Sequence, residues 1–147
     1  TSDGIALLPE INVGMAVALE GGLIVPVIHD AETLGLSDLA VETTRLVAAA
    51  RDSSLSLSEL EGGTFSVTTL GMFGVDGFTP VINPPNTAIL GVGRLREDVG
   101  WNDRGKPVRR TVLTLSLTWD HRAFDGAPAA QFAAEVRDFL EVGDFPG

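Results

Sequence analysis

The residues best placed to do chemistry lie in Asp120-His121-Arg122-Ala123-Phe124-Asp125-Gly126. Imidazole is the side chain whose ordinary pKa, about 6.5, lets it take and return a proton near neutral pH. The chain has only two histidines and no cysteine, so the choice of proton acceptor is narrow and thiolate catalysis is excluded. His121 sits where a strand runs into a polar turn and Asp125-Gly126 opens an Ala-rich helix. Such a junction exposes a reactive group while holding its backbone still. The alternative is a hydrogen-bonded structural histidine in a polar turn. The other histidine, His29, follows a strand beside Asp30, and a surface hydrogen-bonding role is expected for it.

The elements that must position His121 are legible on both sides. Leu113, Leu115, Leu117 and Trp119 alternate as a strand, and residues 109–119 read as one return strand from a hairpin. Phe132, Val136, Phe139 and Leu140 fall at helical spacing and predict an amphipathic helix over 127–140. Upstream, 11–19 reads as a buried strand, Glu20-Gly21-Gly22 as a turn and 23–28 as a second strand. Pro26 there requires an edge or a bulge. Ser37-Asp38 predicts a helix start, with Leu39, Val41, Leu46, Val47 and Ala50 on one face and an end near Arg51. Ser56 to Glu59 carries a capping-box pattern, stopped by Gly62-Gly63. Residues 64–69 alternate as a strand with Ser66 and Thr68 on one face, and threonine is an ordinary strand residue. Gly71 to Gly77 reads as a flexible loop, 78–83 as an extended segment ended by Pro84-Pro85, and 87–92 as another buried strand. A hairpin tip is expected over 100–107, turning at 102–105. Strands and helices without regular alternation predict an α+β fold.

Composition sets the bounds. A chain of 147 residues, 44% apolar, is the size of one domain with a core. A net charge of −10 argues against nucleic acid as a partner. No apolar run is long enough to span a bilayer, so no membrane role is expected. Arg94, Arg96, Arg104, Lys106, Arg109 and Arg110 gather most of the positive charge into one region. They are either a solvated hairpin or a patch facing a phosphate group.

Asp120-His121-Arg122-Ala123-Phe124-Asp125-Gly126 resembles the Asp-His-Arg-x-x-Asp/Asn-Gly signature of the 2-oxo acid dehydrogenase acyltransferases. Three further blocks in the same order strengthen the likeness. They are Gly62-Gly63-Thr-Phe-Ser-Val-Thr68-Thr-Leu-Gly71, then Phe78-Thr-Pro-Val-Ile-Asn83-Pro-Pro with Ala88-Ile-Leu-Gly-Val-Gly93. The last is Asn12-Val-Gly-Met-Ala-Val17 followed by Gly22-Leu-Ile-Val-Pro-Val27. Together they cover nearly the whole chain. The resemblance implies a two-layer domain like chloramphenicol acetyltransferase, a mixed sheet flanked by helices. It also implies that residues 1–147 are the C-terminal part of the catalytic domain. Lipoyl, partner-binding and N-terminal catalytic segments would then lie upstream.

The implied reaction is acyl transfer between dihydrolipoamide and coenzyme A, with coenzyme A as substrate, the lipoyl group carried on an upstream domain, and no metal. By the same resemblance His121 is the general base and Thr68 the oxyanion donor. Asp125 holds the turn, positions the imidazole or caps the following helix. Thr68 and the backbone around Gly93 and Leu95 line the coenzyme A channel. Two further lining positions, polar in some relatives, are Ala18 and Val47 here. His121 and Thr68 come from neighbouring subunits of a homotrimer, built further into a cubic or dodecahedral core. The decarboxylase and dihydrolipoamide dehydrogenase components are the expected partners, and the cytoplasm, or the mitochondrial matrix in a eukaryote, the expected location. Leu70-Gly-Met-Phe-Gly74 resembles acetyl- and branched-chain-transferring members more than succinyl-transferring ones. Two other functions remain compatible with the fold: a catalytically silent structural core subunit, and a stand-alone acetyltransferase acting on a hydroxyl.

Overall fold

The computed structural model describes residues 4–143 and residue 145. Three strands run parallel at the centre of a five-stranded sheet: β1 (Val13–Met15), β5 (Phe65–Thr69) and β6 (Ala88–Val92). Strand β4 (Val27–Ile28) and strand β9 (Leu115–Trp119) flank them antiparallel, giving the order β4-β1-β5-β6-β9. Ala88, Ile89 and Leu90 are all buried, as expected of a parallel strand covered on both faces. The mixed sheet with its helices is the α+β architecture expected.

Two of the expected long strands are broken. Residues 11–19 divide at Ala16 into β1 and β2 (Val17–Leu19), because the Ala16 N–H turns to the Val67 carbonyl at 3.0 Å. Strand β2 then pairs with β3 (Gly22–Ile24) as a separate hairpin. Buried Pro26 falls in the gap between β3 and β4, where its missing N–H breaks no ladder. The return strand also divides. β7 (Arg96–Trp101) and β8 (Pro107–Val112) form a two-stranded ribbon of their own, and β9 restarts at Leu115 to join the main sheet. The ribbon turns where expected: the Asn102 carboxamide oxygen accepts from the Arg104 and Lys106 N–H groups, both at 3.0 Å.

Helix α1 (Leu36–Arg51) buries Leu46 and Ala50 but leaves Val41 exposed, so its apolar face is narrower than expected. The capping-box segment is a single 3₁₀ turn over Leu57–Glu59. There the Glu59 carboxylate accepts from the Ser56 N–H and hydroxyl at 2.8 and 2.6 Å. Helix α2 (Gly126–Val142) lies on one face of the sheet, with Phe132 against Phe65 at 5.6 Å between ring centroids. The other face carries Gly14, Ser66, Thr68, Ile89 and Gly91, which the register places side by side. An extended segment covers it. Phe78 and Pro80 lie over Gly91, where a methyl would touch them at 3.1 and 3.2 Å. Asn86 Nδ2 donates to the buried Ser66 hydroxyl at 2.6 Å.

The chain exposes 10065 Å². A compact monomer of this mass is expected to expose ~7,200 Å², roughly 2,900 Å² less. Leu7, Leu23, Met72, Phe73, Val99, Trp101 and Phe139 are among the large apolar side chains left open. Surface of that character is what partners cover.

Candidate active site

The turn that carries His121 is closed from both its backbone and its side chains. Ala88 and Trp119 pair at the end of the β6–β9 ladder, and the Asp120 N–H adds one more bond to the Thr87 carbonyl, at 2.8 Å. The Ala123 and Phe124 N–H groups both return to the Asp120 carbonyl, at 2.9 and 3.4 Å. The Asp120 carboxylate accepts from the Arg122 guanidinium (Nη2–Oδ2 2.7 Å) and from the Arg122 backbone N–H (2.9 Å). That guanidinium, and then that N–H, hold the Asp120 carboxyl down to about 2. The clasp therefore stays charged across the whole range in which an imidazole titrates.

His121 stands inside this clasp with 69% of its side chain exposed. Its Nδ1 faces the Asp125 carboxylate at 3.6 Å, an ion-pair distance and too long for a good hydrogen bond. Nε2 has no partner among the described residues, so it is the nitrogen left free to take a proton. Asp125 is the residue before the first turn of α2, yet its side chain makes no capping bond. Its carboxylate faces the imidazole, a contact that fits holding the turn or positioning the ring and not capping the helix. His29, by contrast, bonds through Nε2 to the Ser58 carbonyl at 2.9 Å, the surface role expected.

Thr68 lies at the opposite end of the sheet. Its neighbour Thr69 is already committed: the Thr69 hydroxyl donates to the Val92 carbonyl at 3.0 Å and accepts from the Gly71 N–H at 3.2 Å. The half-buried Thr68 has no side-chain hydrogen bond among the described residues, so of the adjacent threonines it alone keeps a free donor. The loop beyond is not the free segment expected. Gly71–Phe73 forms a 3₁₀ turn, and the Arg94 N–H bonds the Val75 carbonyl at 2.9 Å.

Gly93 closes this end. Its N–H donates to the Thr114 carbonyl at 2.9 Å, so that N–H is not free for a ligand. A Cβ at Gly93 would collide with the Asp76 carbonyl oxygen. Gly93→Ala is therefore expected to push the 71–77 loop away and cost about 1–3 kcal/mol, as overpacking does. Urea unfolding checks this, and an unchanged midpoint would mean the loop yields freely. Leu95, the other backbone position expected along the channel, is 69% exposed. Ala18 is exposed on β2 and Val47 half-buried on α1.

The register decides which expected residues meet. Thr68 is level with Gly91, and Gly91 with Ser116. Trp119 is three residues further along β9 and two strands across from Thr68. That makes ~10 Å along and ~10 Å across, and the chain leads onward from there to His121. The residues expected at the site thus fall in two separate groups within one chain, His121 with Asp125 at one end and Thr68 with Gly93 and Leu95 at the other.

The cations of the ribbon are mostly spoken for. Arg94 pairs with Asp76 at 2.6 Å, Arg96 with Asp98 at 3.0 Å and Arg109 with Glu97 at 3.3 Å. Arg110 donates to the Trp101 carbonyl at 3.1 Å. The solvated hairpin is the better description of this region. Sequence reasoning passed over the Asp120–Arg122 clasp, though carboxylate and guanidinium two residues apart around a histidine are a visible signal. It also passed over Trp119 as a neighbour of the imidazole, since strand alternation alone marks that residue as core.

Residues 1–145 match the family model for the 2-oxoacid dehydrogenases acyltransferase catalytic domain, and the chain belongs to that family. It is 50% identical over 133 residues to the dihydrolipoyllysine-residue acetyltransferase component of the acetoin cleaving system of Bacillus subtilis. That match covers 90% of this chain and 33% of the relative. It is 39% identical to the succinyltransferase component of the 2-oxoglutarate dehydrogenase complex of Rickettsia bellii, over 88% of this chain and 32% of the relative. The chain thus spans about a third of the length of these curated relatives. Among solved structures, a probable dihydrolipoamide acetyltransferase from Listeria monocytogenes matches with a TM-score of 0.91 at 33% identity. It covers 96% of this chain and 60% of that one. The cubic core of a pyruvate dehydrogenase multienzyme complex matches with a TM-score of 0.86 at 37% identity, covering 90% and 54%. The fold is therefore that of these acyltransferase cores.

Proposed function

We propose that the chain transfers an acetyl group between the sulfur of a dihydrolipoyl arm and the sulfur of coenzyme A. The active site is shared between neighbouring copies of a homotrimer within a larger core, served by decarboxylase and dihydrolipoamide dehydrogenase components. The observation that carries this is the separation of the half-sites: the free Nε2 of His121 and the free hydroxyl of Thr68 cannot converge within one chain. The excess of exposed surface supports partner chains, and the likeness to a cubic core supports a further assembly.

The chemistry asks for a base and an oxyanion donor. A thiol of pKa about 8.5 is only a few per cent thiolate at neutral pH. His121 Nε2 takes the proton of the attacking thiol, and the new sulfur–carbon bond forms at the thioester carbonyl. Thr68 donates its hydroxyl to the oxygen that gains charge. As the original carbon–sulfur bond breaks, His121 returns the proton to the departing sulfur. Asp125, facing Nδ1, favours the ring orientation and the imidazolium formed on the way.

Acetyl is preferred on two grounds. The acetoin-system acetyltransferase is the more similar of the two relatives above. Beyond Thr68 the turn displays Met72 and Phe73, while the nearby Arg94 is held by Asp76. A succinyl carboxylate would want a free cation there. A panel of acetyl-, branched-chain and succinyl-CoA with dihydrolipoamide as acceptor, run on the full chain in its native assembly, tests the assignment. Light scattering runs beside it. The expected result is fastest transfer of acetyl by an assembly whose subunit number is a multiple of three. A monomer that still turns over would overturn the shared site, and a faster succinyl reaction would overturn the acyl assignment.

A further inference from the structure

We infer that Trp119 is a positioning residue for His121, its indole fixing the plane in which the imidazole presents Nε2. The inference rests on the function proposed above. An imidazole that is 69% exposed has few contacts to fix its side-chain torsions, and two side chains do so here. Asp125 reaches Nδ1 at 3.6 Å, but that carboxylate is itself 86% exposed and constrains one atom of the ring, not its plane. Trp119 supplies the plane. Its ring lies 5.9 Å from the imidazole between centroids, inclined at 38°.

The indole is in turn held firmly. Its backbone pairs with Ala88 in the sheet, and Phe124 stacks on it at 6.4 Å and 21°. Trp119 Nε1 is buried with no hydrogen-bond partner among the described residues. The contact with His121 is thus one between two tilted rings, to which the indole N–H contributes no hydrogen bond. A phenyl ring would offer a similar face without leaving a buried donor unpaired. A leucine would fill part of the volume and offer no flat surface.

Those differences set the experiment. Trp119→Leu, Trp119→Phe, His121→Asn and the Trp119→Leu/His121→Asn double variant are assayed in the full native assembly, with dihydrolipoamide and acetyl-CoA. Their size and circular dichroism are measured alongside. Loose placement of a reacting group costs rate and not binding, so Trp119→Leu is expected to lower kcat about tenfold with KM for both substrates unchanged. Trp119→Phe should restore most of that loss. The double variant should be no slower than His121→Asn alone, because Trp119 acts only through the imidazole. Wild-type kcat in the leucine variant overturns the inference. So does a loss that the phenylalanine variant shares, a rise in KM, a loss of assembly, or an additive double variant. If Trp119→Leu runs at full speed while His121→Asn is slow, Trp119 is packing alone and the base stands. If His121→Asn itself keeps the wild-type rate, the proposed function fails and the role of Trp119 falls with it.

Discussion

His121→Asn is expected to lower acyl transfer by roughly 10²–10⁴-fold, the usual contribution of a positioned general base. Assembly and secondary structure should be unchanged, because the imidazole fills no core within its own chain. The sign of the pH dependence follows from the role. Protonated imidazole cannot accept the thiol proton, so the rate of the unmodified enzyme should rise with pH. The Asp120–Arg122 clasp will not contribute a second acid limb near neutrality. Asp120, held by Arg122, titrates only at about 2, so the clasp is intact wherever the imidazole changes charge. Asparagine keeps a polar side chain of similar reach without a base near neutral pH. An Asn variant with substantial rate and the same profile would make His121 structural.

Thr68→Ala is expected to lower the rate by roughly 10²–10³-fold with little effect on substrate binding, as for any lost oxyanion donor. Thr68→Ser, which keeps the hydroxyl, should be tolerated. The fold should survive the alanine change, because the Thr68 hydroxyl holds nothing within its own chain, whereas the Thr69 hydroxyl ties β5 to β6 and to the following turn. Steady-state kcat and KM for both variants, with urea unfolding as the control, check this. An alanine variant near the wild-type rate would return Thr68 to the standing of an ordinary strand residue.

Much of the arrangement is legible in the sequence, and the rest is missing for physical reasons. The parallel strands show as apolar runs such as 88–90, and α1, α2 and the Asn102 turn announce themselves through spacing and turn chemistry. What periodicity cannot show is where one extended stretch leaves a sheet and joins another. Residues 11–19 and 109–119 are continuous in pattern, yet each breaks because a few backbone groups turn to partners distant in sequence, as the Ala16 N–H does to Val67. Helical spacing marks Val41, Phe139 and Leu140 as core, and all three are exposed. Spacing reports which side chains would be buried by something, not whether the covering surface lies in the same chain. The site follows the same division. His121 and Asp125, close in sequence, are brought together. Thr68 is singled out only by the bonds Thr69 makes, which no strand pattern displays.

The measurement that tests the shared site most directly is complementation between two inactive variants. Chains carrying His121→Asn and chains carrying Thr68→Ala are dissociated, mixed in equal amounts, reassembled and assayed for transfer from acetyl-CoA to dihydrolipoamide. In a site built by two neighbouring copies, about a quarter of the interfaces in randomly mixed closed rings receive an intact His121 from one chain and an intact Thr68 from the next. The expected result is recovery of about that fraction of the unmixed wild-type activity, against near-zero activity for either variant reassembled alone. If mixing restores nothing while the assemblies re-form at full size, the two groups do not serve one site across a subunit boundary.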